Sequence, residues 1–171
     1  MKSYVITGGP SVGKTTVIQL LREKGYTVLP EAARMIIEEE STKGSEVLPW
    51  KNLARFQAEV ARRQFRQEET NQFETRFLDR SLIDGYAYCM LGKVQVPELL
   101  LQNGKHRYDK IFFLEKLEVY VTDGARIEGE QLALAIHEEI RKAYLFFGYE
   151  PVIVPVLSPE KRVEFIVERI F

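Results

Sequence analysis

The stretch GGPSVGKTT, Gly8 to Thr16, holds the residues of this chain best suited to handle an anion. It matches G-x-x-x-x-G-K-[ST] in full, with an apolar run before it and a helical pattern after it. Glycines at Gly8, Gly9 and Gly13 let the backbone, through Pro10, Ser11 and Val12, curl until several N–H groups point inward. The start of a helix adds positive potential at the same place. Lys14 is then placed for the β- and γ-phosphates of a nucleotide and the Thr15 hydroxyl for Mg²⁺, with Thr16 ending the phosphate-binding stretch. A glycine-rich turn that merely precedes a helix would not require the lysine and both hydroxyls in these positions.

Asp79 closes the run TRFLD, where a parallel sheet exposes side chains beside such a loop. An acid there can hold Mg²⁺ or its waters, and it can equally cap the helix that follows, as Ser81 can. Arg80, next in the chain, is suited to steady a transferring phosphoryl group.

The elements that must position these residues follow from periodicity. SYVIT (3–7), YTVLP (26–30), TRFLD (75–79), DKIFFLE (109–115) and PVIVP (151–155) read as buried strands. Helical patterns run over 16–24, from Glu31 to about Glu40, 50–69, 82–91, 97–103, 131–147 and from Pro159. Strands alternating with helices predict an α/β three-layer fold with a five-stranded, mostly parallel sheet. The length suits one domain over 1–171, and STKGSE (41–46) is the best candidate for a flexible loop.

Composition bounds the partners. A net charge of -1 with 45% hydrophobic residues gives no global pull toward nucleic acid or membrane, so anion binding must be local. Cys89 stands alone, which excludes an internal disulfide, and His106 with His137 makes no zinc set. The N-terminal apolar run breaks at Gly8, too short for a signal peptide or a membrane span, and a cytoplasmic protein is expected.

Where the terminal phosphate goes is a matter for the other motifs. The Asn-Lys-x-Asp signature that reads guanine is missing, since the asparagines lie in KNLA, TNQF and QNGK. The chain is also too short for the helical domain that ring-forming motors place after the nucleotide core. In order, GGPSVGKTT, VLPEAAR, WKNLARFQ, LDRS and DGARIEGEQ resemble the deoxynucleoside kinases and the ribosylnicotinamide kinase domains. They also resemble a group of bacterial phosphate-loop proteins of AAA type. The resemblance spans most of the chain and implies a kinase-like phosphate-loop NTPase fold binding ATP and Mg²⁺.

Position by position, the resemblance makes Glu31 of Pro30-Glu31 the general base for an acceptor hydroxyl, and Gln57 of Phe56-Gln57 the amide that reads a base. Arg126, in a lid-like segment near 119–131, would neutralise charge on the transferring group. Each has a plainer role open to it: Glu31 as a helix-start acid, Gln57 as a polar helix position beside core Trp50 and Phe56, Arg126 as an exposed arginine. Arg80 joins Glu31 and Gln57 on the acceptor side. Asp79-Arg80-Ser81 stands where these kinases carry Glu-Arg-Ser, and Gly85, with Asp84 beside it, stands where they can carry a base-reading acid. Arg55, Arg62, Arg63 and Arg66 could together attract a phosphorylated acceptor, but they read as a solvated helix face, with Arg55–Glu59 and Glu59–Arg63 as four-residue pairs. The expected activity is phosphoryl transfer from MgATP to a small, nucleoside-like hydroxyl acceptor. The alternative is a nucleotide-dependent switch with slow hydrolysis.

Overall fold

Short runs of β-branched and aromatic residues form the centre of the fold. The computed structural model describes residues 1–70, 73–116 and 124–170, except the side chains of 124–128. Strands β1 (Lys2–Thr7), β2 (Val28–Leu29), β3 (Thr75–Asp79), β4 (Lys110–Leu114) and β5 (Val152–Val154) make one five-stranded sheet. Its order is β2-β3-β1-β4-β5, and every pairing is parallel. The helices are α1 (Lys14–Glu23), α2 (Ala32–Thr42), α3 (Leu53–Thr70), α4 (Leu82–Leu91), α5 (Glu98–Asn103), α6 (Gly124–Phe146) and α7 (Pro159–Val167).

Side chains alternate across each strand, so the sheet buries two faces. Val5, Leu78, Ile111 and Phe113 pack with Ile83 and Ala87 of α4 and Ile140 and Tyr144 of α6. On the other face Tyr4, Ile6, Phe77 and Phe112 pack with Val17, Ile18 and Leu21 of α1 and Val163 and Ile166 of α7. Each such large side chain contributes roughly 1.5–3 kcal/mol by leaving water. Three layers result, as the alternation of strands and helices predicts.

β1 lies between β3 and β4, so the chain leaves β1 toward one edge and later crosses to the other. Ligand crevices open at the carboxyl ends of strands where the order reverses in this way. Ile6 pairs with Asp79, which brings the end of β3 beside the start of the phosphate loop.

Boundaries differ from the sequence expectation where tertiary pairing decides them. β2 is confined to Val28 and Leu29, which register with Phe77 and Leu78. α6 starts at Gly124, so the later part of the expected lid is helical backbone, while residues 117–123 lie outside the described residues. Trp50 is 66% exposed and so is no core residue, whereas Phe56 is buried. On α3, Glu59 pairs with Arg62, and Arg63 reaches across to Glu39 of α2 instead of forming the expected four-residue pair.

Arg162 of α7 ties the layers together behind the phosphate loop. Only 2% exposed, it donates to the carbonyls of Val12 (2.6 Å), Pro155 (3.0 Å) and Glu115 (3.1 Å). These belong to the loop and to the ends of β5 and β4. An unpaired buried carbonyl costs about 1–3 kcal/mol. Arg162→Met keeps the apolar stem and is expected to lose about 3 kcal/mol or more of unfolding free energy. Urea unfolding of both proteins measures this, and an unchanged midpoint would show that water replaces the guanidinium at no cost.

Candidate active site

Gly13 ends the phosphate loop at φ 85, a left-handed conformation that glycine adopts without strain, and N-caps α1. The first N–H groups of α1 have no partner within the helix, so they are available to an anion. They open on a cavity of about 490 Å³. Pro10, Ser11, Gly13, Lys14 and Thr15 line it from the loop, and Glu31, Arg34 and Arg80 from the facing elements. Burial and the nearby Arg80 charge lower the pKa of Lys14, while Asp79 and Glu31 act the other way.

The remaining loop residues shape the cradle from behind. The Gly9 N–H donates to Nδ1 of His137 on α6 at 3.0 Å, and a Cβ on Gly9 would meet His137 Cβ at 2.8 Å. Val12 is buried with its carbonyl held by Arg162. The Gly8 carbonyl accepts from Arg80 Nη1 at 3.2 Å, and Thr16 is exposed on α1. Among the nine loop residues of the sequence expectation, Gly8, Gly9, Val12 and Thr16 therefore do not line the cavity.

Arg80 is the centre of a buried polar network. Its Nη1 donates to Asp84 Oδ1 at 2.8 Å, and its Nε lies 3.2 Å from Glu31 Oε1. That second contact lacks hydrogen-bond alignment, so it is Coulombic. The flanking carboxylates raise the Arg80 pKa despite its burial. Asp84 is further engaged by the Thr7 hydroxyl at 2.5 Å, the Tyr144 hydroxyl at 2.5 Å and the Ser81 N–H at 3.0 Å. Both of its carboxylate oxygens are thereby engaged by donors of the protein.

Ser81 N-caps α4, accepting from the Ile83 N–H, with Asp84 completing the capping box. Capping thus falls to Ser81 and not to Asp79. Asp79 Oδ1 is buried without a hydrogen-bond partner. Burial, then the Glu31 carboxylate, push the Asp79 pKa up, and Lys14 and Arg80 oppose this. Asp79 is not among the residues lining the loop cavity, but it precedes Arg80, which is, and a desolvated carboxylate oxygen without a donor fits a hydrated cation. Among the described residues no group of three or more His, Cys, Asp or Glu could hold a metal by itself.

Glu31 and Arg80 also line a second cavity of about 190 Å³. Glu31 N-caps α2 by position but makes no side-chain cap bond; its carboxylate turns to Arg80. Ile37, Pro49, Leu53, Phe56 and Val60 give this cavity apolar walls. Gln57 and Gly85 meet at its side, and Gln57 Oε1 is buried without a partner. A Cβ on Gly85 would stand 3.2 Å from that oxygen, so the glycine leaves it room. Arg126 stands on the first turn of α6 by backbone, but its side chain lies outside the described residues.

The sequence reading brings Lys14, Thr15, Glu31, Gln57, Asp79 and Arg80 to one end of the sheet, and it misses His137, Asp84's engagement and Arg34. The Ser81-x-x-Asp84 spacing was a signal for the cap. Nothing local announces His137, which is 128 residues from Gly9.

A family model described as AAA domain matches residues 3–162. Comparison with curated proteins returns no match. Among solved structures, the NadR protein in complex with NR superposes with a TM-score of 0.69 at 22% identity, covering 99% of this chain and 50% of that one. Deoxyadenosine kinase from M. mycoides, with products dcmp and dcdp, gives 0.61 at 15% identity over 98% of this chain and 97% of that one. The YorR protein from Bacillus subtilis, in complex with phosphorylated GDP, gives 0.62 at 13% identity over 99% and 95%. This chain thus spans half the length of the NadR protein and nearly all of the other two. These likenesses show a shared fold.

His137 accepts from Gly9 through Nδ1, so it must be neutral there, and burial lowers its pKa below the usual 6.5. A depressed pKa means the contact stabilises the fold in full above about 6.5 and loses that contribution as pH falls through the folded value. The charged neighbours are Glu138, Glu115, Lys116 and Arg141. Unfolding free energy followed from pH 7.5 to 5 should decline in the wild type, and His137→Phe should flatten that decline. Parallel slopes would place the titrating group elsewhere.

Proposed function

This chain belongs to the AAA domain family, and from that premise we propose that it is a MgATP-dependent phosphotransferase acting on a small hydroxyl-bearing acceptor of nucleoside type. The observation that carries the reading is the junction of the two cavities: Glu31 and Arg80 line both. A phosphate held by the loop and an acceptor held between α2, α3 and α4 would meet there.

In this proposal Lys14, Ser11 and the α1 N–H groups hold the triphosphate of ATP. Thr15 and Asp79 are the residues that would hold Mg²⁺, which when bound neutralises phosphate charge. Glu31 takes the proton of the acceptor hydroxyl as that oxygen bonds to the γ-phosphorus. The bond from the γ-phosphorus to the bridging oxygen breaks, and ADP leaves with that oxygen and its electron pair. Glu31 is left protonated and the acceptor phosphorylated. Lys14 and Arg80 stabilise the charge on the transferring group, a role also proposed for Arg126. The apolar walls suit a flat heterocycle, and the unpartnered Gln57 amide oxygen suits a donor on its edge. A nucleotide switch would leave Glu31 open to solvent, yet its side chain is 18% exposed against Arg80.

General base catalysis contributes typically 10²–10⁴-fold. Glu31→Gln is expected to slow single-turnover phosphorylation of a nucleoside acceptor by about that factor while ATP affinity changes little. Equal rates in both proteins would remove Glu31 from the chemistry.

A further inference from the structure

Arg34 has no role in the reaction as described so far, yet it faces the reacting end of the nucleotide site. It stands on the first turn of α2, three residues after Glu31, the extended N-cap of that helix. Arg34 lines the cavity of the phosphate loop together with Lys14, Thr15, Glu31 and Arg80. Its charge also reaches Asp79, whose carboxyl it helps to hold down against burial.

The charges around the cavity are unevenly committed. Arg80 is fixed between Asp84 and Glu31, and Lys14 is enclosed close to Asp79 and Glu31. On the neighbouring α3, Arg63 is paired with Glu39 and Arg62 with Glu59. Arg34 makes no hydrogen bond or ion pair among the described residues, although Glu38 lies one turn further along α2. An exposed, unpaired guanidinium at the wall of an anion cradle pays little desolvation to meet a phosphate oxygen and gains a charge-assisted bond there.

We propose that Arg34 is a phosphate-contacting residue that donates to an oxygen of the terminal phosphate of the bound nucleotide, from the α2 side opposite Lys14. The inference rests on the nucleotide reading of the loop. Arg34 then acts selectively, favouring a triphosphate over a diphosphate before any acceptor arrives. Arg80, already neutralised by its carboxylates, serves to position Glu31 as much as to meet phosphate.

Calorimetry in Mg²⁺ with a non-hydrolysable ATP analogue and with ADP tests this on the full chain without any acceptor. Arg34→Ala should weaken the ATP analogue roughly 10- to 100-fold, the scale of one charge-assisted hydrogen bond, and change ADP by less than about 2-fold. Arg34→Lys should recover part of the loss. Wild-type affinities for both nucleotides in Arg34→Ala, or equal losses for both, would overturn the proposal. Lys14→Ala is the control and should weaken both nucleotides. A wild type that binds neither would overturn the nucleotide reading itself, a result distinct from a failure confined to Arg34.

Discussion

A buried guanidinium stands where β3 turns into α4, and the geometry of the site depends on it. Arg80 holds φ at 68, a left-handed conformation that costs a non-glycine residue about 1–3 kcal/mol. The cost is sustained because the side chain then bonds Asp84 and the Gly8 carbonyl and lies against Glu31. Removing one partner of a buried ion pair typically costs about 3–5 kcal/mol, since the other charge is left uncompensated. Arg80 therefore couples the phosphate loop, the start of α2 and the start of α4. Thr7, Ser81 and Tyr144 complete the network around Asp84, linking the end of β1 and the later part of α6 to the same point.

The phosphate loop is fixed from two further directions. His137 takes the Gly9 N–H from the α6 side, and Arg162 takes the Val12 carbonyl from the α7 side. The Gly9 N–H and the Gly8 and Val12 carbonyls are thus satisfied by side chains, leaving the first N–H groups of α1 for an anion. The same α6 carries Arg126 on its first turn. A change in the position of α6 would accordingly be felt by Gly9.

Much of this was legible in the sequence because it rests on local patterns. The loop motif, the strand TRFLD ending at Asp79 and the helix 82–91 depend on neighbours within a few residues, and the structure has β3 and α4 at those bounds. Sheet composition and layering followed from alternation. What was not legible depends on distant partners. Asp84 reads by position as a displaced recognition acid, and only Thr7, Arg80 and Tyr144 around it reveal its structural role. Trp50 reads as core by type and is 66% exposed. Glu39 draws Arg63 away from its own helix because α2 packs beside α3. Arg34 could have been found from its nearness in sequence to Glu31, since both sit on one short stretch.

The central claim is that the terminal phosphate of ATP passes to an acceptor in the cavity between α2, α3 and α4. Its most direct test is the fate of a labelled γ-phosphate when the wild-type protein, ATP and Mg²⁺ are incubated with a panel of nucleosides, nucleotides and sugars. The account predicts label on a nucleoside-type product, formed faster than free orthophosphate. Label appearing only as orthophosphate, at a rate that no acceptor changes, would contradict it.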